Sequence, residues 1–138
     1  MPKTRSYKLL CPISRALDRI GDRWTLLILR DLHAGPARFG ELQSGLKGIA
    51  ANLLTDRLGK LVEDGLVQKD AAGHRTVVYV LTDLGRRTLD IIFELVVFGA
   101  EFAPVEPTVT PGNLRTVATT LSAATQRVDT SDIQLRLG

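Results

Sequence analysis

The feature that most constrains this chain is a change of hydrophobic period at Gly65. Before it, "ANLLTDRLGKLVEDG" repeats Leu54, Leu58, Leu61 and Val62 at helical spacing, which predicts a helix from about Ala51 to Asp64 with one apolar side. After it, "LVQKD" and "RTVVYVLT" carry β-branched residues and Tyr79 in extended runs, with "AAGH" as the turn between them. A helix that runs straight into a two-stranded hairpin is compatible with few small folds.

The upstream segments narrow the choice. Pro12 suits the first turn of a helix, where a missing N–H costs nothing, so Cys11 is the expected N-cap and Ile13, Leu17 and Ile20 form the apolar side. Asp22 is the expected cap of a second helix in "DRWTLLILRDLHAGP", with Trp24 in the core and Gly35-Pro36 as the stop. "RFGELQSGL" reads as a short third helix with Phe39, Leu42 and Leu46 inward, and "KGIA" as the turn into the Ala51–Asp64 helix. Beyond the hairpin, Thr82 caps a further helix, "DLGRRTLDIIFELVVFGAEF", read here as continuous. Its second half is apolar nearly all round, more than a small domain can bury, so Leu89, Ile92, Phe93, Val96 and Val97 are expected to meet a second copy of the chain.

This order of elements is an α+β, mostly helical fold: a winged helix-turn-helix with a two-stranded wing and a C-terminal dimerisation helix. We assign residues 1–103 to that domain. Pro104, Pro107 and Pro111 open a linker, and residues 104–138 form an extension of unassigned role. Within it "NLRTVATTLSAATQRV" reads as a helix and "DIQLRLG" as a strand. The extension is faintly similar to the start of a sterol-carrier-like module, but a tail packing on the dimer is the reading adopted.

Charge and composition restrict function. The net charge of +3 is compatible with a polyanionic partner without demanding one, and residues 1–103 carry all of the excess, fifteen Lys or Arg against twelve Asp or Glu. One cysteine and two histidines allow neither a disulfide framework nor a zinc set, and a reducing cytoplasm is the expected location. There is no Gly-rich phosphate loop, metal-ligand spacing or nucleophile motif, so neither an enzyme nor a cofactor is expected. The apolar run from Leu89 to Phe102 contains Asp90, Glu94 and Glu101 and falls short of the roughly 20 residues of a membrane span. The apolar run near the N-terminus is too short for a secretory signal.

On a helical wheel with Leu54 and Leu61 inward, Asn52, Asp56, Gly59 and Glu63 point outward, Thr55 and Lys60 flank them, and Arg57 lies nearer the core. Groove-entering helices read bases through their N-terminal half, which selects Asn52, Thr55 and Asp56. Asn52 is equally suited to cap a helix that starts one turn late. Asp56 is expected to pair with Lys60 four residues on. Arg38, Lys47 and Lys60 are placed for phosphate, and His74 and Arg75 for the wing tip; singly, each is as well explained as a solvated surface charge.

The stretch from Cys11 to Gly85 also resembles a known family. Its Cys-Pro start, the Trp24–Arg30 run "WTLLILR", the Arg38–Leu42 segment "RFGEL", the Leu54–Leu58 segment "LTDRL" and the Glu63–Val67 segment "EDGLV" together are similar to the HxlR family of winged-helix transcriptional regulators. The resemblance implies a homodimer on double-stranded DNA with a two-fold operator, usually as a repressor, responding in some members to a small molecule or oxidant. It also implies that Cys11 is a candidate redox site; an N-cap sulfur facing unpaired amides favours the thiolate, while a structural thiol is the alternative. Three departures stand out. Where the family often has a serine, a basic or polar residue and a glutamine, Ala50 is apolar and Asp56 acidic while Asn52 stays polar; the wing turn is short; and residues 104–138 lie outside the family core. A winged helix used only for protein docking remains the competing function.

Overall fold

The structure, a computed structural model, describes residues 6–73, 75–103, 119, 121 and 124–126. His74, the three linker prolines, the expected C-terminal strand and most of the expected tail helix lie outside the described residues. Four helices precede the wing: α1 (Pro12–Ile20), α2 (Thr25–His33), α3 (Phe39–Gly45) and α4 (Ala51–Glu63). Strands β1 (Val67–Ala71) and β2 (Val77–Leu81) pair antiparallel with Val67 opposite Leu81, and α5 (Asp83–Arg86) and α6 (Thr88–Gly99) follow. No helix among the described residues is long and apolar enough to cross a membrane.

The core forms where the apolar sides of these elements meet. Ile28, Leu29 and Leu32 of α2, Leu42 of α3, Leu54, Leu58 and Leu61 of α4, and Leu66, Val67 and Leu81 around the hairpin are all buried together. Trp24 packs against this cluster, and the Arg23 guanidinium lies 5.5 Å from its ring centroid. Val62 departs from expectation: it is 37% exposed.

α2 begins at Thr25 with Trp24 as its N-cap residue, so Asp22, the expected cap, instead bonds the turn that leads into the helix. Its Oδ2 accepts the N–H groups of Trp24 (3.1 Å) and Thr25 (3.2 Å), its Oδ1 accepts the Thr25 hydroxyl, and Oδ2 lies 3.0 Å from Arg57 Nε on α4. Burial opposes ionisation of this carboxyl. The Thr25 hydroxyl, the two amides and the Arg57 charge outweigh it, and the pKa falls below the usual carboxylate value. One side chain thus starts α2 and ties it to α4. Asp22→Ala is expected to cost about 2 kcal/mol, from the lost amide and hydroxyl bonds before α2 and the loss of one of the two carboxylate partners of the half-buried Arg57, lowering Tm by several degrees. Asp22→Asn, which can still accept amide bonds, should lose less in the same thermal melt.

A contact invisible in the local pattern fixes the wing. Ala37 N–H donates to Tyr79 O (3.1 Å) and Tyr79 N–H donates to Ala37 O (2.8 Å), so the residue before Arg38 adds a bridge to the sheet. The start of α3 is thereby held against β2. The wing turn is bonded from Ala72 N–H to Thr76 O at 2.9 Å, with Gly73 at φ 99° and Arg75 at φ 65°. A left-handed Arg75 cannot continue a strand, which is why β2 begins at Val77 and not at Arg75 as expected.

The helix read as continuous from Asp83 is divided at Arg87. Thr82 caps the first piece as expected, its Oγ1 accepting Gly85 N–H at 3.1 Å and donating to Gly65 O at 2.6 Å. Arg87 N–H then bonds Leu84 O, an i to i−3 turn, before α6 starts at Thr88. The C-terminal extension touches the domain through Thr119. Its buried hydroxyl donates to Arg30 O at 2.6 Å, satisfying one of the last four carbonyls of α2 that have no partner within the helix.

Candidate nucleic-acid interface

The segment from Arg38 to Lys60 forms two helices joined by a tight turn. Leu46 and Ile49 are buried on either side of Lys47 and Gly48, and Ile49 N–H bonds Leu46 O at 3.1 Å. Gly48 takes φ 93°, a conformation glycine adopts without steric cost, and Lys47 is left pointing to solvent. Arg38 stands at the other end of α3 as its exposed N-cap residue. A guanidinium has no acceptor, so only the Glu41 half of a capping box forms, with Glu41 Oε1 accepting Arg38 N–H at 3.2 Å. The two cations therefore flank a seven-residue helix, about 10 Å long.

α4 begins at Ala51, with Ala50 as an N-cap that offers no side-chain acceptor. Asn52 is thus already inside the helix and does not cap a later start. Its exposed side chain accepts Leu53 N–H through Oδ1 at 3.0 Å, which leaves the amide NH2 outward. The exposed Thr55 hydroxyl donates to Ala51 O at 2.9 Å. The other amides of the first turn have no side-chain cap, so α4 presents the positive end of its dipole.

The expected Asp56–Lys60 pair does not form. Asp56 Oδ2 instead lies 3.2 Å from Arg57 Nη1. Adjacent helical residues do not ordinarily face one another; here Asp22 anchors Arg57 by its Nε and swings the rest of the guanidinium toward Asp56. Lys60 keeps its charge unneutralised by Asp56, while Gly59 adds no side chain beside it and has open space where a Cβ would be. Periodicity alone placed Arg57 near the core, but its partner on the preceding turn before α2 could not be read from it.

On the wing, Arg75 is exposed at the tip, and Lys69 lies opposite Tyr79 with Nζ 5.8 Å from the ring centroid. Lys69 was missed by the sequence reading; its position one strand across from an aromatic in the hairpin was the available signal. Arg38, Lys47, Lys69 and Arg75 make no ion pair with a carboxylate of the described residues.

Two other surfaces are apolar and uncovered. On α6, Leu89 and Ile92 turn inward to their own domain and are buried, which removes them from the expected contact with a second copy. Phe93 is half-buried, while Val96 and Val97 are exposed together with Ile91, Leu95 and Phe98, the last 64% exposed and edge-on to Phe102 at 5.3 Å. On α1, Ile13 and Leu17 are exposed, and Cys11 precedes them at the N-cap. Its exposed sulfur makes no full cap hydrogen bond, yet the backbone amides of Ser14 and Ile13 hold the thiol below its usual pKa.

Comparison with known proteins agrees with this architecture. Residues 19–107 match the family described as HxlR-like helix-turn-helix. An uncharacterized HTH-type transcriptional regulator of Mycobacterium tuberculosis is 41% identical over 97 residues, which cover 67% of this chain and 59% of that protein. The matched region thus spans about three fifths of that relative's length. The crystal structure of PA1607, described as a transcription factor, superimposes with a TM-score of 0.66 at 39% identity, covering 78% of this chain and 77% of that one. The quinone-bound YodB of Bacillus subtilis has a TM-score of 0.59 at 29% identity, covering 67% of this chain and all of that one. The chain belongs to the HxlR-like helix-turn-helix family of transcriptional regulators.

Proposed function

We propose that the protein is a cytoplasmic, non-enzymatic regulator that binds double-stranded DNA as a homodimer and represses from an inverted-repeat operator. The observation that carries this reading is the bridge between Ala37 and Tyr79, because it holds the cations at the start of α3 and on the wing in one fixed relation to α4. Arg38, Lys47, Lys60, Lys69 and Arg75 supply phosphate contacts, and Asn52, Thr55 and Asp56 approach base edges from the open end of α4. The exposed side chains of α1 and α6 supply the dimer contact. Selection of bound sequences from a random DNA pool tests the reading directly. Recovery of a two-fold site whose affinity falls steeply with salt supports it, and no enrichment at low salt overturns it in favour of a protein-docking module.

Asp56 tunes recognition under this reading. Its carboxylate repels phosphate and accepts from cytosine, so Asp56→Gln is expected to bind DNA about tenfold more tightly and to shift the preferred base toward adenine. The same pool selection measures both. An unchanged motif and affinity would mean that the carboxylate serves only Arg57.

Cys11 is proposed as the oxidant-responsive group. Its lowered pKa and exposure favour a reactive thiolate, and YodB, a family relative, has been solved with a quinone bound. As the chain holds one cysteine, two-electron oxidation by diamide joins Cys11 of two copies in a disulfide, the two electrons and two protons passing to the azo group, which becomes a hydrazine. Non-reducing gels should show this dimer together with altered DNA binding, and Cys11→Ser should lose both responses. Persistence of the altered binding in Cys11→Ser would assign the response elsewhere.

A further inference from the structure

The end of α2, strand β2 and the α5–α6 junction border a half-open cleft of about 370 Å³. Leu32, Val80, Leu81 and Leu89 give it apolar walls, and Gln126 borders it from the C-terminal extension. Its size lies in the range of small-molecule pockets, and its lining is mixed, polar and apolar in similar measure. Besides Gln126, two polar side chains line it, His33 and Arg86.

Their chemistry differs. Thr88 gives its single hydroxyl proton to Gly85 O at 2.7 Å, so its oxygen can only accept at the 2.9 Å contact with His33 Nε2. His33 therefore carries its proton on Nε2. Burial, and then the nearby Arg86 charge, push its pKa down to about 4, so the imidazole is neutral at pH 7. Arg86 is then the one charged side chain on the lining among the described residues, and its field is felt at the cleft wall. It donates through Nη1 to Asp83 at 2.9 Å, but that pair is solvent-exposed and worth little, and a guanidinium has further donors in the same plane.

We propose that this cleft binds a small organic carboxylate, its anion on the Arg86 guanidinium and its apolar body between β2 and α6, as an effector of the regulator. The effector role rests on the regulator reading; the site does not. A ligand here touches the three elements that set the geometry of DNA binding. The end of α2 leads through Ala37 into α3, β2 carries the wing, and α5 and α6 carry the uncovered apolar helix. Spreading or drawing together these elements alters the relation of the two α4 helices in a dimer, which is how a site remote from DNA gains coupling.

The probe is 3-phenylpropionate, with 3-phenylpropanamide as its neutral counterpart, titrated into the full chain and followed in 1H–15N spectra. Saturable shifts are expected at the amides of Gly35, Val80, Leu81 and Leu89. The neutral amide, and the acid with Arg86→Gln, should bind at least about tenfold more weakly, and saturating acid should change DNA affinity severalfold. No saturable shift, shifts confined elsewhere, or equal binding of acid and amide overturns the site. Saturable binding with unchanged DNA affinity overturns the effector role. Carboxylate binding by a protein that selects no DNA would overturn the regulator reading and leave the site standing.

Discussion

Replacing Gly85 by alanine is expected to destabilise the fold by roughly 3 kcal/mol or more, although Gly85 sits in a helix where alanine is ordinarily favoured by about 1 kcal/mol. The reason is a backbone approach. A Cβ at Gly85 would lie 2.0 Å from Leu66 O, and that oxygen also accepts Thr82 N–H at 3.1 Å. Neither partner is a flexible side-chain end, so α5 must move off the α4–β1 turn. The displacement would break the Thr82 bonds to Gly65 and Gly85 and disturb Thr88, whose hydroxyl donates to Gly85 O. α6 rides on that joint, so the apolar helix should change its inclination to the α2–α4 core. Thermal melting should show the loss, and small-angle scattering of the proposed dimer a changed separation of the two cores. A variant with wild-type Tm would mean that the turn yields without cost.

What was legible in the sequence was local. The cap at Thr82 and the change of period at Gly65 each depend on residues within a few positions and appear in the structure where expected, and Asp22 bonds the start of the second helix although Trp24 takes the N-cap position. The start of α4 was less so, because Asn52 was as well suited to cap a helix starting one turn late as to lie inside it facing a base edge. Burial of Leu46 and Ile49 decides it, since the turn they anchor brings Leu54 N–H to Ala50 O at 3.0 Å. Contacts between segments far apart in the chain were not legible. The Arg57–Asp22 pair redirects Asp56, the Ala37–Tyr79 bridge ties α3 to the wing, and the inward turn of Leu89 and Ile92 subtracts them from the outer face of α6. Hydrophobic period says which side of a helix is apolar; it does not say which part of that side its own domain consumes.

Removing Arg38, Lys47 and Arg75 together, each to alanine, is expected to weaken DNA binding by at least a hundredfold at moderate salt without reordering base preference. All three are exposed, and none of them pairs with a carboxylate of the described residues, so their loss leaves no buried charge behind and Tm should be nearly unchanged. If each meets one phosphate, a dimer loses six contacts, and the slope of log affinity against log salt should become shallower by about 5. That slope separates the competing readings more sharply than affinity does. A misfolded variant would lose affinity at every salt concentration with a lowered Tm, and a docking module has no salt-dependent DNA affinity to lose. Asp56→Gln, by contrast, changes a group proposed to face a base and should move sequence preference while altering the slope little. The two variants together assign affinity to the cations flanking α3 and on the wing, and selectivity to the outer side of α4. Retention of the wild-type slope in the triple variant would refute that division.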